Sequence, residues 1–229
     1  MAIGIQRGLG MPAMVTINNS NRFYKRNNIG KYLVSTIELN NMFIQNQLIS
    51  ERANQFKDRR IQEIREFELI PSIHNRGSYF LHVIPFSFLE EKLIDLRQLE
   101  NQKFERLVNP IFIRILDSET SGYSSCYNLD GYMNYRVNGR KHKMTAFNQY
   151  FRNGIIEFYT SSLMWLTENS DPEMKHFYGY EIISATVDAI QRSLQAFKIL
   201  QVEPPLLVYI SLFDTDDAFL LGRHNQDTD

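Results

Sequence analysis

The sequence predicts an α+β fold in which a mixed sheet, containing an antiparallel three-strand meander, is packed by two long helices. Three observations predict it. Asn138-Gly139 and Asn153-Gly154 separate three segments of β-type pattern, and Asn-Gly readily takes the positive φ angles of a tight hairpin turn. Two long segments, beginning near residues 35 and 171, carry apolar residues at three- to four-residue spacing, the period of a helix with one buried face. Aromatic residues reach 13% of the chain, with 16 Phe and 12 Tyr, and such rings favour pleated, half-buried surfaces and a ring-rich core.

The elements follow in chain order. Residues 14–17 and 22–25 read as short strands joined by the turn-forming Asn18-Asn19-Ser20-Asn21. Ser35-Thr36-Ile37-Glu38 then matches a capping box, and a helix with Leu39, Met42, Ile49, Ala53, Phe56 and Ile64 on its stripe is expected to about Glu66, with a break near Ser50 as an option. Pro71 and the polar residues after it stop that helix. Residues 79–84 have the continuous apolar character of a strand covered on both faces, ended by Pro85. A short helix or two turns are expected over residues 87–99, and another strand over 110–115. The meander follows, over residues 127–137, 142–151 and 155–159. Asp171-Pro172-Glu173 supplies an N-cap, a first-turn proline and an acidic first turn for the second helix. Its stripe is Tyr180, Ile183, Val187, Ile190, Leu194 and Phe197, expected against the sheet or the first helix. After Pro204-Pro205, residues 206–213 are apolar enough to be expected as the most buried, central strand. Residues 222–229 read as a polar, frayed tail.

Charge and cysteine content narrow the classes of function. With 25 basic and 26 acidic side chains the formal charge is −1, so nothing global draws the chain to nucleic acid or an anionic membrane, and such binding needs a local patch. Cys126 is the single cysteine, which excludes an intrachain disulfide and a multi-cysteine zinc site and suits a reducing cytoplasm. The first residues lack the basic segment and apolar core of a secretory signal, and no apolar stretch nears the roughly 20 residues that span a bilayer. The expected location is therefore cytoplasmic, with no membrane partner.

Residues 22–32 are the richest candidate site: Arg22, Phe23, Tyr24, Lys25, Arg26, Lys31 and Tyr32 interleave cations with rings just before the first helix. Cations neutralise phosphates and rings stack on bases, so this composition suits RNA or DNA; the same residues also suit an amphipathic strand and turn. Arg136, Arg140, Lys141 and Lys143 gather at the Asn138-Gly139 turn as a second candidate phosphate contact or as solvated turn charges. Asp214, Asp216 and Asp217 have a metal-compatible but unspecific spacing, which makes a metal-dependent nuclease a second alternative reading, and they also fit a strand end. The histidines, His74, His82, His142, His176 and His224, form no zinc-type local pair; His82 lies inside an apolar strand, with His142 as its expected partner across a sheet. Cys126 has no base nearby in sequence. A phosphate loop, a dinucleotide fingerprint and a nucleophile elbow are absent from the sequence.

Several phrases taken together resemble bacterial Schlafen-type proteins: Met14-Val15-Thr16-Ile17; Arg22-Phe23-Tyr24-Lys25-Arg26 with Gly30-Lys31-Tyr32; Tyr127-Asn128-Leu129-Asp130-Gly131; and Gln149-Tyr150-Phe151-Arg152-Asn153-Gly154-Ile155-Ile156-Glu157. Residues 1–45 resemble the closing part of the AlbA-like nucleic-acid-binding domain of that group, a hairpin and the start of the long helix, and 46–221 resemble the α+β module that follows it. The resemblance implies cytoplasmic nucleic-acid recognition, in regulation or antiviral defence, with metal-dependent RNA cleavage in some members. The acidic catalytic cluster of those nucleases belongs to the earlier part of the AlbA-like domain, so no catalytic residue is carried over, and no cofactor is implied. The expectation is a fragment, a short protein without the front half, or a subunit whose partner supplies it. An incomplete sheet of that kind exposes a strand edge, which makes a partner protein or a homo-oligomer the alternative reading.

Overall fold

The computed structural model describes residues 14–17, 20–26, 30–66, 77–90, 93–100, 123–138, 143–161, 165–166, 175–216 and 218–221. The expected strand over 110–115, the stop at Pro71, the helix start at Asp171-Pro172-Glu173 and the tail over 222–229 lie outside these residues. The chain divides into two compact units, Met1–Phe56 and Lys57–Asp229, and helix α1 (Thr36–Glu66) begins in the first and ends in the second.

In the first unit, β1 (Met14–Ile17) and β2 (Ser20–Arg26) form the expected antiparallel hairpin, and a third strand, β3 (Lys31–Leu33), adds to β2. The third strand escaped the sequence because three residues are too few for a period to show. The Ser35 hydroxyl accepts from the Glu38 N–H at 3.2 Å, as the capping pattern predicts. Helix α1 runs unbroken through Ser50 to Glu66.

The second unit is built on a six-stranded sheet in the order β11-β4-β8-β7-β6-β5, antiparallel at every pairing. Its strands are β4 (Ser78–Pro85), β5 (Tyr123–Tyr127), β6 (Gly131–Asn138), β7 (Lys143–Phe151), β8 (Ile156–Thr160) and β11 (Leu206–Phe213). The meander is present and gains β5, because Asn128 turns the chain where one longer strand was expected: its side-chain oxygen accepts from the Gly131 N–H at 2.8 Å. Gly131 is required there. Its φ is +157°, and a Cβ would land on the Tyr150 carbonyl oxygen. Parallel pairing occurs in a separate small sheet, in which β10 (Lys175–Tyr178) lies between β9 (Trp165–Leu166), antiparallel to it, and β12 (Ala218–Leu221), parallel to it. Residues 87–99 supply two 3-10 turns, Phe86–Leu89 and Leu96–Glu100.

Each face of the large sheet is covered by a helix. On one face Tyr79, Leu81, Val83, Tyr132, Tyr150, Ile156 and Phe158 pack with helix α2 (Gly179–Leu200). On the other, Phe80, Phe147 and Tyr159 pack with Ile61 and Ile64 from the end of α1. This accounts for the run of residues 79–84, in which neither side chain parity meets water.

Three expectations are corrected. Helix α2 starts at Gly179, since Lys175–Tyr178 is a strand; His176-Phe177-Tyr178 are ring side chains that favour a strand and pair with β12. Of the expected stripe, Phe197 is buried and Ile190 packs against the core, but Tyr180, Ile183, Val187 and Leu194 face away from the sheet, with Ile183 65% exposed, and the inner row is completed by Ala185, Ala189, Ser193 and Ala196. Small residues let the helix axis approach a sheet already filled by Tyr79, Tyr150 and Phe158, and larger side chains on that face would hold it off. Finally, β11 is an edge strand, not a central one, and alternate residues along it are exposed. Uniform apolarity marks a strand with little polar contact and does not say which neighbours are there.

The tight α2–sheet contact gives a test. Ala189→Leu should lose about 1–3 kcal/mol by overpacking, whereas Ser184→Leu on the exposed side should change stability by less than about 0.5 kcal/mol. Chemical denaturation of the two variants checks this.

Candidate functional site

The N-terminal sheet sorts the predicted binding residues onto its two faces. Lys25 pairs with Tyr32, and Tyr24 with Leu33; because side chains alternate along a strand, Lys25, Tyr32 and Phe23 share one face, and Arg22, Tyr24 and Lys31 share the other. The first face meets the start of α1. There Glu38 Oε1 accepts from the Tyr32 hydroxyl at 2.8 Å and from Lys25 Nζ at 3.0 Å. The Tyr32 bond, then Lys25, holds the Glu38 carboxyl below its usual range, and Glu38 in turn raises the Tyr32 hydroxyl. Lys25 and Tyr32 are thus tied to the helix start. The second face is exposed at Arg22, Tyr24 and Lys31, and Lys31 Nζ stands 5.7 Å from the centre of the Tyr24 ring. Arg26 pairs with Lys31 in the backbone register.

The second basic cluster is only partly described: Arg136 is half-buried on β6, opposite Ala146, while Arg140 and Lys141 lie outside the described residues and Lys143 opens β7. Asp214 takes a left-handed backbone conformation, φ 58°, and pairs with Arg65 at 3.3 Å; Asp217 lies outside the described residues. Among the described residues no group of three or more metal-ligating side chains gathers. Cys126 is exposed on β5.

His82 has a partner that sequence reasoning missed. It is Glu157, directly opposite on β8, with His82 Nε2 2.9 Å from Glu157 Oε2 and both side chains fully buried; His142 lies outside the described residues. For an ionised carboxylate to accept here, the imidazole proton must sit on Nε2. From the end of α1, Arg60 donates to both Glu157 oxygens, at 3.0 and 3.4 Å, and its guanidinium also contacts Glu63 at 3.1 Å, Asp130 at 3.7 Å and the Phe151 ring at 5.1 Å. Burial pushes the Glu157 carboxyl up, but its interactions with His82 and then with Arg60 outweigh it and leave the group below its ordinary value. Burial likewise works against the Arg60 charge, and Glu157, Asp130 and Glu63 more than restore it. The row continues on β7, where Gln149 stands opposite Glu157 and exchanges hydrogen bonds with Asn128 at 2.8 and 3.3 Å. The signal in the sequence was a lone carboxylate in the apolar run 155–159, facing a lone imidazole in the run 79–84.

This network fixes helix to sheet. Its His82 and Glu157 side chains are sealed from solvent, whereas Arg22, Tyr24 and Lys31 are exposed. No helix among the described residues is long and apolar enough to cross a membrane. Comparison with known protein families, curated proteins and solved structures yields no match.

The clamp predicts an acid-sensitive stability. A carboxyl whose folded pKa lies below its ordinary 4.5 stabilises the fold above that value, and the contribution is lost as pH falls through the lower folded value. Glu157→Gln leaves Arg60 and His82 facing a neutral amide and should cost about 3 kcal/mol near neutral pH. In a denaturation series from neutral to strongly acid solution, the gap between wild type and variant should hold down to about 4.5 and close below it.

Proposed function

We propose that this chain is a non-catalytic nucleic-acid-binding module of Schlafen-like type, serving a regulatory or defence protein. Its contact surface is the open face of the N-terminal sheet. The observation that supports this reading is the separation of Arg22, Tyr24 and Lys31 onto one exposed face, with a cation over the ring, from Lys25 and Tyr32, which Glu38 occupies. A near-neutral chain binds a polyanion only where charge is segregated, and the register segregates it here. Arg22 and Lys31 neutralise phosphates of RNA or DNA, and Tyr24 offers a stacking surface.

A second reading, a protein-interaction or assembly subunit, is favoured by the apolar surface of the same unit: Val15 and Leu33 beside that face, and Ile37, Ile44 and Leu48 along one exposed side of α1. Charge reversal tells the two apart. Arg22→Glu with Lys31→Glu should weaken binding of a labelled single-stranded oligonucleotide at least tenfold and lower the slope of log affinity against log salt by roughly 1.4, two cations at about 0.7 each. Lys25→Ala should alter binding much less while loosening the helix start. Binding unchanged in the double variant would refute the nucleic-acid reading; loss of a co-purifying protein in Ile44→Glu with Leu48→Glu would support the assembly reading.

A further inference from the structure

We propose that two copies of this chain join through β11, edge to edge, into one continuous sheet with the two α2 helices side by side over the seam. The proposal rests on the second unit alone and is independent of nucleic-acid binding.

Strand β11 ends the six-stranded sheet, and among the described residues no strand pairs with its outer edge. Edge strands are ordinarily protected by a charge, a proline, a bulge or brevity. The eight residues of β11, Leu206-Leu207-Val208-Tyr209-Ile210-Ser211-Leu212-Phe213, have none of these. Val208, Ile210 and Leu212 stand opposite Val83, Leu81 and Tyr79, so they point to the α2 side of the sheet, yet all three are exposed. They are apolar side chains of a core face that stops one strand too soon.

Helix α2 supplies the rest of the surface. Ile183, Val187 and Leu194 fall within about 40° of one another around the helix, with Tyr180 beside them. The direction of that stripe follows from one contact and the buried row. The Thr186 hydroxyl lies 2.8 Å from the Tyr79 hydroxyl of β4, while Ala185, Ala189 and Ala196 are buried toward the sheet. At 100° per residue Thr186 falls between that row and the stripe, which sets the stripe on the β4 side of the helix, next to β11. Helix stripe and strand face therefore border the same side of the sheet.

Antiparallel pairing fixes how a second copy fits. Directly opposed residues must share a face, so a two-fold axis normal to the sheet at Ile210 sets Ile210 against Ile210 of the second copy and Val208 against Leu212 of the second copy. On the other face Tyr209 meets Ser211. There Lys57 stands over Tyr209 and is paired with Asp58 at 2.9 Å, so the seam is not crossed by like charges. The seven apolar side chains expose of the order of 600 Å² per copy before the backbone edge is counted, against roughly 800 Å² per partner in a standard interface and 300–600 Å² for the largest patch of a monomer. A second copy meets every requirement of this surface, its backbone edge included.

Sedimentation of the full chain tests the proposal. Wild type should reach twice the 27.0 kDa chain mass with rising concentration. Ile210→Lys and Val187→Glu, both at exposed positions, should remain at one chain mass with unchanged circular dichroism. In a Cys126→Ser background, Ile210→Cys should oxidise to a covalent dimer and Val208→Cys should not, because Val208 lies far from its own twin in this register. A wild type that stays monomeric at every concentration overturns the proposal. So does a dimer that survives Ile210→Lys, and so does efficient cross-linking through Val208→Cys in place of Ile210→Cys.

Discussion

A carboxylate without solvent is what the second unit has to accommodate. Glu157 sits mid-sheet on β8 with no exposed surface, and leaving it alone there would cost several kcal/mol. The fold answers from two directions at once: His82 from the neighbouring strand and Arg60 from the helix above. Because Arg60 reaches both oxygens, the last turns of α1 are fixed in height and rotation over the sheet, and Ile61 and Ile64 are thereby set against Phe80, Phe147 and Tyr159. An apolar contact alone would tolerate sliding of one helical turn; a fork aimed at a single buried carboxylate does not. The network contributes positional definition more than net stability.

The opposite face of the sheet reaches its definition by a different route. There the strands contribute the volume and α2 contributes the space, with Ala185, Ala189, Ser193 and Ala196 against Tyr79, Tyr150 and Phe158. The division of large and small residues has a consequence for the surface. With alanines on its inner row the helix leaves Ile183, Val187 and Leu194 exposed, and at about 25 cal/mol per Å² their exposure forgoes several kcal/mol of burial.

Local chemistry was legible in the sequence, and neighbour relations were not. The hairpin at Asn153-Gly154, the Ser35 cap and the two-sided burial of residues 79–84 each depend on a few adjacent residues, and each stands in the structure, although only Gly154 of that turn takes a positive φ. Misreadings concern what lies beside an element. An apolar stripe at helical spacing reports that one face avoids water, yet only Ile190 and Phe197 of the expected stripe pack inward, beside alanines that no hydropathy period singles out. Uniform apolarity in β11 suggested a centre when the strand is an edge. In the site, the cations and rings of residues 22–32 were visible, but their division between an open face and the Glu38 side required the third strand, whose three residues leave no period. Glu157 was visible as a charge out of place; only strand register brings it to His82.

The two proposed contact surfaces differ in what would drive association. The N-terminal face joins cations to a ring, so contact with a polyanion would release counterions and weaken as salt rises. The α2 and β11 surface is apolar, and salts excluded from protein surfaces strengthen its burial. A near-neutral chain can carry both because charge and hydrophobicity are segregated by register: alternation along β2 gathers Arg22 and Tyr24 on one side, and alternation along β11 gathers Val208, Ile210 and Leu212 on one side. Pairing through β11 would also duplicate the basic face, and two linked copies hold a long polyanion through avidity without any new contact to it. A weak individual phosphate contact, limited to the few cations one face displays, is then sufficient.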